Sequence, residues 1–215
     1  MKAYQFTIEL LGIDPPIWRR VIIPADVTFR RLHDTIQAAM GWWDYHLYEF
    51  KIPQEKLRIT NNEEAFEEFK FYSAKYRRKK PVEEEDPLGA IGRIIETTIR
   101  LPQTVKIDRY LEKYKSFKYV YDLGDNWRHL IKLEKIIDDY KFGYPVVLNG
   151  EGACPPEDAG GIGGYQEFLE AWNDPGHPEH EEMREWGEGQ HYRPFDIDWC
   201  NGMLKSFLKI KKTEK

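Results

Sequence analysis

The sequence is poor in the features that mark secreted and membrane proteins. Its 215 residues include only two cysteines, Cys154 and Cys200, too few for a disulfide framework. No run approaches the roughly 20 apolar residues of a membrane-spanning helix, and the start of the chain lacks the apolar core of a signal peptide. We therefore expect a cytoplasmic protein with two reduced thiols.

A surplus of positive charge is also missing. Lys and Arg total 32 against 37 Asp and Glu, so the net charge is −5. This balance disfavours broad binding to nucleic acid, because such binding depends on neutralised phosphates. The one compact basic run, 77–80, is soon followed by the acidic run 83–86, a pattern typical of a solvated loop. Nucleic acid is therefore a disfavoured partner, while a protein partner stays open.

Apolar periodicity in the first quarter of the chain predicts the start of a sheet. Residues 4–11 alternate apolar and polar, which indicates a half-buried strand, and residues 17–23 and 46–52 predict two more. Between them, apolar residues at helical spacing predict a helix over 28–40, capped by Thr28. The order strand–strand–helix–strand predicts an α+β fold with a mixed sheet, similar to a β-grasp arrangement.

The rest of the chain predicts two further strands and several C-terminal helices. The strands are 117–121 and 127–137, separated by a turn-rich tip. Residues 54–104 are expected to form a charged insertion with limited structure inside a single α+β domain over 1–215. The predicted helices are 62–69, 107–114, 165–172, 177–187 and 198–210, the last capped by Asp198.

Several short motifs occur together in an order typical of one known family. They span most of the chain and are 16–20, 32–33, 40–42, 46–50, 121–129, 133–134, 154–158, 160–161, 164–165 and 195–196. With these motifs the chain resembles the plasmid open-reading-frame-three-like family, named from a root-inducing plasmid. The resemblance implies a compact α+β domain, frequent association with mobile elements, and no established activity.

Some members of that family bear a resolvase-like label as passengers of insertion elements. A serine recombinase needs a nucleophilic serine in an arginine-rich setting, but Ser73, Ser116 and Ser206 lie in no such motif. Many relatives also carry a second cysteine after the Pro-Pro-Glu-Asp motif, where this chain has Ala159. The resemblance therefore supports neither recombination nor a cysteine pair that binds metal.

Acidic residues in two turn-rich segments supply the candidate functional site. One pair lies at the tip between the last two predicted strands, and the other lies in a loop rich in proline and glycine. Turns carried by a rigid sheet commonly present functional groups, so we expect these segments to meet. The candidate site residues are Asp122, Asp125, His129, Glu157, Asp158 and Arg19.

Four converging carboxylates would repel one another unless something neutralised them. A divalent metal held by Asp122, Asp125, Glu157 and Asp158 is one solution, because carboxylate ligands suit Mg, Mn and Zn. Pairing with an arginine such as Arg19 is another, and protonation is a third. A purely structural interpretation also stands, in which the aspartates cap their own turns and the glycines fix a tight loop.

Three functions are compatible with these residues. The first is a non-enzymatic binding module linked to mobile elements, which fits the absence of a complete catalytic motif in the sequence. The second is a metal-dependent hydrolase, such as a phosphodiesterase or nuclease, which would use a metal-activated water at the acidic loops. The third is a nucleic-acid-binding accessory factor, against which the net charge counts. Whether the protein is an enzyme stays open at this stage.

Overall fold

The computed structural model describes residues 1–208, and in that part of the chain eight strands form one sheet accompanied by seven α-helices. The predicted α+β class, the strand–strand–helix–strand start and the C-terminal helices are confirmed. The strands are β1 (Ala3–Leu10), β2 (Ile17–Pro24), β3 (Tyr48–Ile52), β4 (Leu57–Thr60), β5 (Thr98–Arg100), β6 (Ser116–Tyr121), β7 (Trp127–Ile137) and β8 (Val146–Glu151). The helices are α1 (Phe29–Met40), α2 (Glu63–Lys75), α3 (Ala90–Glu96), α4 (Asp108–Tyr114), α5 (Gly161–Asn173), α6 (His180–Gly189) and α7 (Ile197–Phe207).

The strands lie in the order β5-β4-β3-β6-β7-β1-β2-β8. Every neighbouring pair is antiparallel except β4 and β5, which run parallel. All five strands predicted from periodicity therefore belong to this sheet. β6 lies between β3 and β7, and its last residue, Tyr121, pairs with the first residue of β3, Tyr48, so the tip that joins β6 to β7 lies near the start of β3.

The main core forms between the sheet and α1. Alternation along β1 is real, since Phe6 and Ile8 are fully buried while Glu9 is exposed. Leu32 and Ile36 on α1 are also fully buried. On β7, Ile131 is fully buried and Trp127 is only 1% exposed. These six apolar side chains belong to one hydrophobic cluster, which contains Phe6, Ile8, Leu32, Ile36, Trp127 and Ile131.

Helix ends follow local side-chain chemistry, with one correction. The hydroxyl of Thr28 accepts a hydrogen bond from Arg31 N, as expected for the cap of α1. The cap of α7 is Asp196 and not Asp198, because Asp196 is the residue whose carboxylate reaches the N–H groups two and three residues later. The predicted end of this helix at Ile210 lies outside the described residues.

The charged segment 54–104 contains more regular structure than expected. β4 pairs with β3, β5 extends the sheet, and α2 and α3 lie beside these strands. Asn62 caps α2 at the predicted start of the helix, but the helix continues to Lys75, beyond the predicted end at residue 69. The expectation of limited structure is wrong because β4 and β5 are too short to show a recognisable periodicity, and pairing with the sheet stabilises them.

β8 is an edge strand that the sequence pattern did not reveal. Asn149 and Gly150 are poor strand formers, and no alternation marks the segment. Pairing with β2 holds it on one side. On the other side, the amide of Asn201 accepts from Val147 N at 2.8 Å and donates to Val147 O at 3.0 Å. This side chain from α7 therefore covers part of an otherwise open sheet edge.

Two further expectations concern membrane-spanning helices and the state of the two cysteines. None of the helices among residues 1–208 is both long and apolar enough to cross a membrane. Cys154 and Cys200 are both free thiols, and burial raises the pKa of Cys200 to about 11. Both cysteines are therefore protonated and poorly nucleophilic at neutral pH.

Candidate functional site

The two acidic segments meet, as expected from the sequence. The carboxylate of Asp125, in the tip between β6 and β7, accepts a hydrogen bond from Gly160 N at 3.0 Å. The neighbouring Gly161 packs so closely that an added Cβ would lie 2.8 Å from Asp125 O. Only glycine permits this approach, which explains one glycine of the glycine-rich loop. Asp125 therefore fastens the two segments together, and within residues 1–208 it is not among the residues that group with His46 as potential metal ligands.

His46 lies at the centre of the remaining carboxylates. Its Nε2 atom is 3.1 Å from Asp158 Oδ1, 3.6 Å from Asp122 Oδ2 and 3.7 Å from Glu157 Oε2. This nitrogen is buried, and none of the three contacts has hydrogen-bond geometry. His46 was expected only to open the third strand, which begins two residues later at Tyr48. No local sequence pattern distinguishes it as a site residue.

Asp122 divides its two oxygens between structure and site. Oδ1 accepts from Gly124 N at 2.8 Å and from Asp125 N at 3.3 Å, which closes the tip in the way aspartates commonly do. Oδ2 is left facing His46. The turn-capping interpretation of Asp122 is therefore correct for one oxygen, and it leaves the other available as a ligand.

Glu157 is buried and held in place by two donors. Its Oε1 accepts from Trp43 N at 2.8 Å and from Tyr121 OH at 2.9 Å. Burial raises the pKa of Glu157 even though both hydrogen bonds favour the charged carboxylate. Tyr121 OH also accepts from Tyr45 N, so the segment that carries His46 is anchored on Glu157. The position of His46 thus depends on a contact between distant parts of the chain.

The donor set around His46 fits a divalent cation. One ligand atom each from His46, Asp122 and Asp158 lies within 4.8 Å of the other two. In a tetrahedral Zn²⁺ site with bonds of about 2.0–2.2 Å, any two ligand atoms are about 3.3–3.6 Å apart. A small contraction would therefore bring these atoms to bonding distance. The side chain of Asp158 is 68% exposed, so part of the coordination shell would remain open to solvent.

His129, one of the candidate residues, lies elsewhere in the structure. It is fully buried on β7, with its ring against Trp42 and Tyr119. Neither ring nitrogen has a hydrogen-bond partner in the described part of the chain, and burial lowers the pKa of His129 to about 3. The expectation that it lies at the acidic cluster is wrong, because the inward face of β7 points it into the core.

Arg19 also does not contact the acidic cluster. It is 1% exposed, and its guanidinium donates to four backbone carbonyls, those of Ala39, Trp18, Glu151 and Gly152. Its neighbour Arg20 faces the opposite side of β2 and pairs with Glu134 at 2.7 Å. The expected pairing of one of these arginines with Glu157 or Asp158 is therefore not present. Backbone carbonyls, including one near the C-terminus of α1, take the place of an acidic partner.

A second histidine–carboxylate group occurs at the end of α1, but it is already neutralised. His33 Nε2 lies 2.7 Å from Asp44 Oδ1, and Asp34 is close to both. Arg30 pairs with Asp34 at 2.7 Å and with Asp44 at 2.6 Å. Although burial opposes it, the contacts with His33 and Arg30 lower the pKa of Asp44. The cluster around His46 has no comparable arginine among the ion pairs of residues 1–208.

Comparison with known proteins identifies relatives over nearly the whole chain. A family model described as plasmid pRiA4b ORF-3-like protein matches residues 2–203. The uncharacterized protein y4hQ of Sinorhizobium fredii is 36% identical over 191 residues, which cover 89% of this chain and 84% of that protein. The crystal structure of MM3350, a protein of unknown function from Methanosarcina mazei Go1, is 33% identical with a TM-score of 0.66 and covers 92% of this chain and 96% of that one. These matches confirm the family resemblance, and the relatives' names specify no activity.

Proposed function

The chain belongs to the plasmid pRiA4b ORF-3-like protein family, and we propose that it acts as a binding module that holds a divalent cation at His46. One observation carries the proposal. Within residues 1–208 the buried Nε2 of His46 lacks a hydrogen-bond partner, yet it lies 3.1–3.7 Å from oxygens of Asp122, Glu157 and Asp158. A cation between these atoms would bond to the nitrogen and neutralise the carboxylates at once.

The charge balance of the cluster supports a bound cation. Three carboxylates surround one imidazole, and no Lys or Arg of residues 1–208 forms an ion pair with any of the three. Even a protonated His46 would leave an excess of negative charge. Because burial already raises the pKa of Glu157, ionising all three carboxylates without a counter-ion costs stability.

The ligand types favour Mn²⁺ or Zn²⁺ over Mg²⁺ or Ca²⁺. Mg²⁺ and Ca²⁺ prefer oxygen ligands alone, whereas imidazole nitrogen suits the transition metals and zinc. His46 would supply that nitrogen, while Asp122 and Asp158 would supply oxygen atoms. A cation bound in this way would also restrain the protein chain, since its ligands come from three segments that are far apart in the sequence.

Exposed apolar side chains around the cluster favour binding to another protein. Trp43, Tyr45 and Leu47 flank His46 in the chain and are 42%, 70% and 42% exposed, and Leu123 beside Asp122 is 39% exposed. Aromatic side chains of this kind are enriched at protein interfaces. A cytoplasmic setting accords with the two free thiols of Cys154 and Cys200.

A metal-dependent hydrolase is the second candidate function. The observation that favours it is the exposure of Asp158, at 68%, because an ion bound there would keep solvent-facing coordination positions. Such an ion could lower the pKa of a bound water and produce a nucleophile at neutral pH. Phosphodiesters are then the substrate class to examine first.

Thermal unfolding with added metal tests the cation site. A ligand at a hundredfold excess over its Kd contributes about 2.7 kcal/mol, so Mn²⁺ or Zn²⁺ should raise the midpoint by about 5–10 °C. His46→Ala and Asp122→Asn should abolish this rise. Asp139→Asn, which changes an exposed carboxylate outside the cluster, is the matched control and should respond like the unaltered protein.

The outcome separates the two candidate functions. No rise with millimolar metal, or an equal rise in His46→Ala, would contradict the cation site. If the metal binds, incubation with bis-p-nitrophenyl phosphate distinguishes the remaining possibilities. Metal-dependent turnover that disappears in both site variants would establish the hydrolase and replace the binding module.

A further inference from the structure

A groove lies at the other end of β3, between the strands β4 and β5 and the helices α2 and α3. Its volume is about 460 Å³, within the range of small-ligand sites. Much of its wall is apolar and comes from Pro53, Leu57, Ala65, Ile94 and Ile99. The groove shares no residue with the cluster around His46, which precedes the opposite end of β3.

The helices above this groove are incompletely packed. α2 is 13 residues long, yet none of its residues is buried. Phe66 and Phe69 on α2 are only half-buried, as are Ile94 and Ile95 on α3. Helices that cover a sheet normally bury an apolar stripe against it. The space between these helices and the strands is therefore apolar and unfilled, which favours an apolar ligand group.

Positive charge surrounds the same groove. Lys51, Lys56, Arg58 and Arg93 line it, against one acidic residue, Glu68. Lys51 and Arg58 share a single carboxylate, that of Glu49, at 2.7 Å and 2.9 Å, while Lys56 pairs with Glu96 at 3.0 Å.

Arg93 differs from the other three cations. Its Nη1 donates to Leu88 O at 2.8 Å, and it forms no ion pair within residues 1–208. The four cations are offset by three carboxylates, those of Glu49, Glu96 and Glu68, so the surplus of positive charge at the mouth is a single charge, which we assign to the unpaired Arg93. An anionic ligand group would complement this positive charge.

We propose that this groove binds a single-chain amphipathic carboxylate, with the hydrocarbon chain against Leu57, Ile94 and Ile99 and the carboxylate at Arg93. The apolar wall would contact the ligand's hydrocarbon chain, and the unpaired guanidinium of Arg93 would bind its carboxylate head group. Arginine binds carboxylates through two parallel N–H groups, which a neutral or cationic head group cannot accept. The ligand is a free monomer, since a groove of this volume encloses one chain and not a membrane surface.

Binding of sodium dodecanoate to the full chain tests the proposal. Titration calorimetry below the micelle concentration should show saturable binding to one site. Dodecanol and dodecyltrimethylammonium carry the same chain with neutral and cationic heads, and each should bind about fivefold more weakly, the effect expected of one partly exposed charge pair. Saturable binding of equal strength for all three head groups would overturn the assignment of a carboxylate ligand. Absence of saturable binding would overturn the groove as a binding site.

Two variants separate the head-group contact from the chain contact. Arg93→Gln should weaken dodecanoate about fivefold and leave dodecanol unchanged, because only the charge pair is lost. Ala65→Phe fills the groove with an apolar ring and should weaken both ligands. Lys70→Gln, an exposed lysine of α2 that pairs with Glu67, is the matched control and should bind normally.

The variants also give results that would contradict the proposal. Circular dichroism and the unfolding midpoint first establish that each variant is folded. With folded protein, dodecanoate binding that is unaffected by Arg93→Gln would exclude Arg93 as the head-group contact. Binding unaffected by Ala65→Phe would exclude the groove itself.

Discussion

Arg19 and Arg20 are neighbours in β2, but they lie in opposite environments. Arg19 is buried and donates to four backbone carbonyls, whereas Arg20 forms a surface pair with Glu134. The carbonyls that Arg19 binds belong to β2, the end of α1 and the segment around the end of β8. Arg19 is therefore a structural link between parts of the fold that meet only in the folded state.

Loss of Arg19 should be much more costly than loss of Arg20. Arg19→Met removes four hydrogen bonds to backbone carbonyls in and around the core, and it should lower the free energy of unfolding by about 3 kcal/mol. Arg20→Gln removes only a solvated pair and should have a small effect. Urea denaturation of the two variants makes the comparison, and equal losses would show that the four carbonyl bonds contribute little.

The two fully buried histidines, His33 and His129, should respond differently to replacement by leucine. His33 bonds to Tyr119 OH at 2.8 Å and to Asp44 at 2.7 Å, whereas His129 has no hydrogen-bond partner. His33→Leu should destabilise the protein by about 1–3 kcal/mol, because it leaves polar partners unpaired. His129→Leu should be neutral or stabilising at pH 7.

The pH dependence of stability gives a second measurement on His129. Its folded pKa of about 3 lies below the ordinary value of 6.5, so its neutral ring contributes stability above pH 6.5 that is lost as the pH falls towards 3. His129→Leu should remove up to about 1.4 kcal/mol per pH unit of this dependence. If stability depends on pH in the same way in His129→Leu between pH 6 and pH 4, then His129 takes up its proton as readily in the folded protein as in the unfolded one.

Glu157→Gln should stabilise the metal-free protein, and it should weaken the response to metal because one of the three carboxylates near His46 loses its charge. Burial raises the pKa of Glu157 in the folded state, so its contribution to stability is present at low pH and declines as the pH rises through that folded pKa. Glutamine resembles the protonated side chain and can still accept from Trp43 N. A lower unfolding midpoint for this variant at pH 7 without metal would show that the charged carboxylate stabilises the fold.

Leu32 provides a direct measure of the main core. It is fully buried on α1, so Leu32→Ala should lower the free energy of unfolding by about 2–5 kcal/mol through lost transfer energy and the remaining cavity. Chemical denaturation measures the change. A loss below about 1 kcal/mol would mean that the surrounding side chains collapse into the space.

Local patterns in the sequence predicted the regular elements that carry the site. Alternation along β1 and helical spacing in α1 were sufficient, because burial of one face repeats every two or about 3.6 residues along the chain. The concentration of acids in two turn-rich loops likewise indicated Asp122, Glu157 and Asp158 as candidates. β8 and the short strands β4 and β5 lack such repeats, so they were missed or underestimated.

What the sequence by itself determined is therefore the class of fold, its main helix and central strands, and the loops in which functional carboxylates lie. Only the tertiary structure decided that His46 joins those carboxylates, since Glu157 holds the segment next to it through Trp43 N. It also decided that His129 and Arg19 point away from the cluster into the interior. The physical reason is that periodicity reports which side of an element is buried, whereas the order of strands and the packing of loops determine which side chains meet.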